Sequence, residues 1–194
     1  MRRFVRGSQG RHDDRVTTLQ PFTEDDRRAV AAQLEREPRG VVGVAWRCPC
    51  GDPGVIVTLP RLPGGSPFPT TYYLTCPVVA SRIGTVEASG EMAAMTARLA
   101  ADPDLAARYR AAHESYLADR ARFGARAGLE PVTEIDGVSA GGMPTRVKCL
   151  HALAAHSLAV GPGVNPFGDE VVEMLGLSWL GEAEGTGTSE KENS

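Results

Sequence analysis

Apolar positions along the chain change period twice, from helical spacing to short β-like blocks and back to helical spacing. Thr23 followed by Glu24, Asp25 and Asp26 predicts a helix start, because a hydroxyl can cap and carboxylates suit the positive end of the helix dipole. Val30, Ala31 and Leu34 give that helix one buried side before Pro38-Arg39-Gly40 ends it. The runs 41–46, 55–59 and 70–75 are β-branched or aromatic and are separated by Gly/Pro turns, which predicts strands. From Pro77 onward the pattern is helical. Cys76 takes the cap position of one helix, Ser89 can cap a second with Met92, Met95 and Leu99, and Asp102-Pro103 starts the longest, with Leu105, Tyr109, Ala112, Tyr116 and Phe123 near one face. After an aperiodic linker, two more helices are expected at about 144–160 and 167–175. The resulting expectation is an α+β fold, a small antiparallel sheet of about three strands packed against a mainly helical body of about five to six helices.

The ends lack this patterning. Residues 1–20 carry five arginines and almost no apolar periodicity, and 179–194 are rich in Gly, Glu, Thr and Ser. They read as a disordered arm and tail around a single domain at 21–178. A length of 194 residues suits one well-buried core.

Charge narrows the function classes. With 42% hydrophobic residues, 23% charged residues and a net charge of -3, nothing in the bulk composition points to nucleic acid. No apolar run approaches the roughly 18–20 residues of a membrane span, and the basic start is not followed by an apolar segment, so the expectation is a cytoplasmic protein. Lys148 and Lys191 are the only lysines among 21 basic residues. A lone lysine inside the folded body, beside Cys149, suggests a need for a compact, movable ammonium.

The chemistry is densest at Ser139 to His156. Ser139-Ala140-Gly141-Gly142 ahead of Pro144 offers unobstructed amides at an expected helix N-terminus, with Arg146 and Lys148 close by, and would suit a small anionic ligand such as a phosphate or carboxylate. The alternative is that the diglycine only lets the chain turn. Cys48, Cys50, Cys76 and Cys149 are expected to be free thiols, metal ligands or catalytic groups in a reducing compartment. Cys48 and Cys50 would lie in the first strand connection, Cys76 at the end of the third strand and Cys149 on a helix packed over the sheet. Such a set could hold zinc or an iron–sulfur cluster. On a regular helix from residue 144, His156 would lie roughly 10 Å along the axis from Cys149 and His151 would point to nearly the opposite side. His113, His151 and His156 are therefore candidates only for supporting positions. The competing reading of the cysteines is an apolar core role.

Arg47-Cys48-Pro49, the run 67–77, Ser139 to His151 with His156, and Gly163-Val164-Asn165-Pro166 with Gly168-Asp169 together resemble the bacterial family known as domain of unknown function 501. The resemblance spans about residues 18–176 and implies Cys48, Cys76 and Cys149 as motif cysteines, with Cys50 at a position that other members can fill differently. That makes a three-cysteine iron–sulfur cluster with an open iron as plausible as four-cysteine zinc. The family is common in actinobacteria, in keeping with the arginine-rich composition, and its genes often neighbour those for enolase, a septum-formation-initiator-like protein and an exopolyphosphatase. Three functions stay open: a protein with a cysteine-ligated metal centre beside an anion site, a metal-free binding or regulatory protein in division or envelope processes, and a cysteine-dependent enzyme acting on a small anionic substrate.

Overall fold

The structure is a computed structural model and describes residues 18–179; the expected disorder of 1–17 and 180–194, and His12, lie outside the described residues. The order of elements is α1 (Glu24–Leu34), β1 (Val41–Arg47), β2 (Pro53–Thr58), β3 (Tyr72–Leu74), α2 (Pro77–Ala88), α3 (Glu91–Ala101), α4 (Pro103–Arg126), a 3-10 turn (Thr133–Ile135), α5 (Leu150–Val160) and α6 (Pro166–Met174). This is the expected α+β class: among the described residues, three antiparallel strands in the order β1-β2-β3 and six α-helices. Val44 pairs with Ile56, and Ile56 in turn with Tyr73, so β2 is central. It is buried along its whole length, with α1 and α5 both packed against it.

Residues 18–20, expected in the arm, already belong to the fold. Gln20 exchanges backbone hydrogen bonds of 2.9 and 3.0 Å with Val44, covering the outer edge of β1.

Helix α1 begins as its sequence predicts. Thr23 Oγ1 accepts from the Asp26 amide at 3.2 Å and Asp26 Oδ2 accepts from the Thr23 amide at 2.9 Å, a reciprocal capping box. Asp26 has a second partner that no local pattern shows. Arg47 at the end of β1 donates to Asp26 Oδ1 at 2.7 Å and Oδ2 at 3.0 Å, and also to Gln20 Oε1 and Gly51 O. The guanidinium holds the Asp26 carboxyl far below the usual carboxylate range despite its burial. Asp26→Asn is expected to destabilise the protein by about 2–4 kcal/mol at neutral pH, since Arg47 would keep its charge without a counter-ion. A depressed carboxylate contributes stability above its unfolded pKa of about 3.9 and loses it as pH falls below, so the gap to wild type should close in acid. Urea melts at several pH values check this; a gap that widens in acid counts against it.

Helix α5 is the element around which the rest is placed. It packs against all three strands, α2 and α6, and its residues Leu153 to Leu158 are all buried. A helix enclosed on several sides needs apolar residues around most of its circumference, which explains why Leu150–Val160 shows little amphipathic pattern. Its polar exceptions, His151, His156 and Ser157, therefore need a local reason.

Candidate functional site: Glu87, Cys149 and His151

The expected helix from residue 144 does not form. Residues 141–149 fold into a compact loop in which Gly141 O accepts from the Lys148 amide at 2.7 Å and the Cys149 amide at 3.3 Å, while Gly142 O accepts from Arg146 at 3.1 Å. Both glycines have positive φ, and a Cβ on Gly142 would stand 2.6 Å from Arg146 O. The diglycine therefore allows a tight loop and does not open a helix.

This corrects the helix-start setting of the expected anion site, because the amides that lead into α5 are occupied. The amide of Val147 bonds Thr96 Oγ1 at 3.2 Å and that of Leu150 bonds Glu87 Oε1 at 2.6 Å, so every amide from 146 to 150 has a protein acceptor. Ser139 Oγ is engaged with His113 Nδ1 at 2.7 Å, and the side chains of Arg146 and Lys148 are exposed. At the start of α5 the position an anion would take is filled by the carboxylate of Glu87.

Cys149 is the cap residue of α5, with extended φ -152° and ψ 109°. The two-residue spacing to His151 thus crosses a helix boundary, and the rule that separates i and i+2 around a helix does not apply to it. Instead of facing away, His151 comes to the thiol. Cys149 Sγ, a His151 ring nitrogen and a Glu87 oxygen all lie within 4.8 Å of one another, the one such group of three metal-competent side chains among the described residues. Glu87 sits in the last turn of α2 and continues the buried stripe of Val79 and Ile83 at four-residue spacing. That placement of a carboxylate on an apolar stripe is the sequence signal that would have found it; the 62 residues to Cys149 conceal the pairing.

Hydrogen bonds fix the imidazole. His151 Nε2 lies 3.0 Å from Ala80 O, and a carbonyl only accepts, so Nε2 carries a proton. Nδ1 is 3.1 Å from Glu87 Oε1. The hydrogen bond with the Cys149 side chain is the largest influence on His151; with Glu87 and Ala80 it outweighs the opposing effect of partial burial and pushes the imidazole up to about 9. With no ion at Nδ1, His151 is an imidazolium at neutral pH, with Nε2 on Ala80 O and Nδ1 beside the Glu87 carboxylate.

The four sulfurs do not converge. Cys48 and Cys50 are bonded to each other at the end of the β1–β2 hairpin, Cys76 is a buried cap residue of α2 whose side chain makes no capping hydrogen bond, and Cys149 belongs with Glu87 and His151. Cys48 and Cys50, expected as free thiols, metal ligands or catalytic groups, form a disulfide instead, because the turn 48–52 brings residues two apart face to face.

His113 and His156 stand apart from this group. His113 is half-buried, lowered from its ordinary value by burial, and bonded to Ser139. His156 is fully buried, stacked on Tyr72 with centroids 5.4 Å apart and edge-on to Tyr116 at 5.2 Å. Asn165 Oδ1 accepts from the Gly168 amide as the cap of α6, which turns its Nδ2 toward His156 Nδ1 at 3.3 Å. Asn165 thus caps α6. Asp169 instead accepts from Ser157 Oγ and, at 2.8 Å, from the Gly163 amide.

Among the described residues no helix is long and apolar enough to cross a membrane. No curated protein and no solved structure matches the chain. The sequence profile described as Protein of unknown function (DUF501) matches residues 44–173, from within β1 to within α6 and including Glu87, Cys149 and His151, and the chain belongs to that family.

Proposed function

We propose that the protein binds a divalent transition-metal ion of the zinc class through Cys149 Sγ, His151 Nδ1 and a Glu87 carboxylate oxygen. The observation that carries this reading is the second hydrogen bond of the imidazole. Nε2 donates to Ala80 O, which leaves Nδ1, 3.1 Å from Glu87 Oε1, as the ring nitrogen that can share an ion with the carboxylate and the sulfur. Histidine ligands to zinc are held in this way, and an ion would replace the Nδ1 proton. The carboxylate is oriented in the same manner by the Leu150 amide.

One sulfur, one nitrogen and one oxygen ligand form a borderline-soft set that suits zinc better than magnesium or calcium. Three protein ligands leave one tetrahedral position open for water or a small anion. Arg146 and Lys148 are exposed on the loop that leads to Cys149 and place positive charge within three residues of it in the chain. An ion there would activate bound water or polarise a bound oxyanion, so the reading includes metal-assisted chemistry on a small anionic substrate.

The test is a zinc titration of chelator-treated, reduced protein at neutral pH, read by calorimetry and by alkylation of Cys149. Expected are one equivalent bound, protection of Cys149 by zinc, and affinity losses of about 100-fold for Cys149→Ser and His151→Asn. Cobalt should give a thiolate charge-transfer band that Cys149→Ser removes. Absence of saturable binding by folded protein, or binding that survives Cys149→Ser unchanged, would rule the site out. Rapid alkylation of Cys149 that zinc does not slow would favour the cysteine-dependent reading of the same three side chains, for which the paired imidazolium is the supporting feature.

A further inference from the structure

The sulfurs of Cys48 and Cys50 are joined across a single residue, Pro49, at the end of the β1–β2 hairpin. We infer that this pair is a reversible thiol–disulfide couple that exchanges with a low-molecular-weight thiol, at a site separate from Glu87, Cys149 and His151.

The bond contributes little as a structural cross-link. A disulfide stabilises mainly by restricting the unfolded chain, and its effect shrinks with the loop it closes. Here the loop encloses one residue. The turn is also held without it, since the Cys48 amide donates to Asp52 O at 3.0 Å and the Gly51 amide donates to Cys48 O at 2.8 Å. Arg47 adds a hydrogen bond of 3.2 Å to Gly51 O while gripping Asp26 of α1, so the turn is tied to the body by groups that do not change on reduction. Opening the bond leaves every one of these contacts in place.

Accessibility of the two sulfurs differs in the way exchange requires. Cys50 is exposed, whereas Cys48 is 6% exposed and belongs to the main core cluster. An incoming thiolate therefore reaches Cys50 Sγ. It forms a new S–S bond there as the Cys48–Cys50 bond breaks, and the electron pair goes to Cys48 Sγ, which takes up a proton. A second thiolate attacks the small-molecule sulfur of the mixed disulfide, releasing the small disulfide and leaving Cys50 as a thiol. The balance is two small thiols oxidised to one disulfide and one protein disulfide reduced to two thiols. Cys76 is buried and cannot compete.

The experiment uses the full chain in glutathione buffers of graded oxidised-to-reduced ratio, followed by acid quenching, alkylation and peptide mass analysis. The expected result is one two-electron transition confined to Cys48 and Cys50, with Cys76 reduced throughout and the melting temperature changing by less than about 3 °C between states. Cys48→Ser should trap glutathione on Cys50 at least about 10-fold faster than Cys50→Ser traps it on Cys48. A pair that stays in one state over the whole range, a reduction that unfolds the protein, or equal trapping by both variants overturns the proposal. The wild-type titration remains decisive should either variant fold poorly.

Discussion

Gly168→Ala is expected to destabilise the protein by at least about 3 kcal/mol, even though alanine is favoured over glycine by about 1 kcal/mol in an open helix. Gly168 lies in the first turn of α6, buried where that helix crosses α5. A Cβ there would stand 2.3 Å from Leu153 O and 2.9 Å from Ser157 Cβ. The obstacle is backbone of the central helix, which cannot rotate aside as a side chain could, so the two helices must separate along their contact. The clash outweighs the propensity gain. Gly84, in α2, is the control: a Cβ there meets nothing within 4 Å, and Gly84→Ala should stabilise by about 0.5–1 kcal/mol. Urea melts of both variants provide the check, and a Gly168→Ala protein as stable as wild type would show that α5 and α6 do not approach as described. Because α5 carries His151 and is capped by Cys149, the same variant should also weaken zinc binding, whereas Gly84→Ala should leave it intact.

The contrast between these glycines shows what a sequence can and cannot disclose. Helices with one apolar face, such as α3 with Met95 and Leu99 or α4 with Leu105, Tyr109, Ala112, Tyr116 and Phe123, were legible because their burial follows the local period. Strand blocks were legible for the same reason. The candidate site was legible only in outline. Dense chemistry at 139–156 pointed to Cys149 and His151, yet their relation was misjudged because the start of α5 was set at Pro144. Its true position depends on Gly141 O capturing the amides of Lys148 and Cys149, a loop contact with no periodic signature. Glu87 was missed because convergence of α2 with α5 is a tertiary event. Grouping the four cysteines failed from the opposite error, since shared ligand chemistry was taken to imply shared location. Cys48 and Cys50 had a nearer partner in each other.

The second large effect expected is loss of stability in mild acid through His156. Burial pushes its imidazole down to about 3, and Asn165 Nδ2 donates to Nδ1, which is possible only for the neutral ring. Its Nε2 then carries the proton and has no hydrogen-bond partner among the described residues, so a charged ring would gain nothing there. In the unfolded chain the same histidine titrates near 6.5. Between these values the unfolded state binds one more proton than the folded state, so stability is full above about pH 6.5 and falls by about 1.4 kcal/mol per pH unit below it, or about 3 kcal/mol by about pH 4.5. Asp119 and Asp169 oppose this trend: burial raises both, so the folded state takes up their protons first and gains stability as pH falls. Subtraction isolates the histidine. In His156→Gln the amide oxygen can still accept from Asn165, and the pH slope between about 6.5 and 4.5 should drop by about 1.4 kcal/mol per unit relative to wild type, whatever the absolute stability of the variant. Parallel pH profiles for the two proteins, or an imidazole resonance of His156 that titrates above about pH 5 in the folded state, would show that the ring is not held neutral between Tyr72, Tyr116 and Asn165.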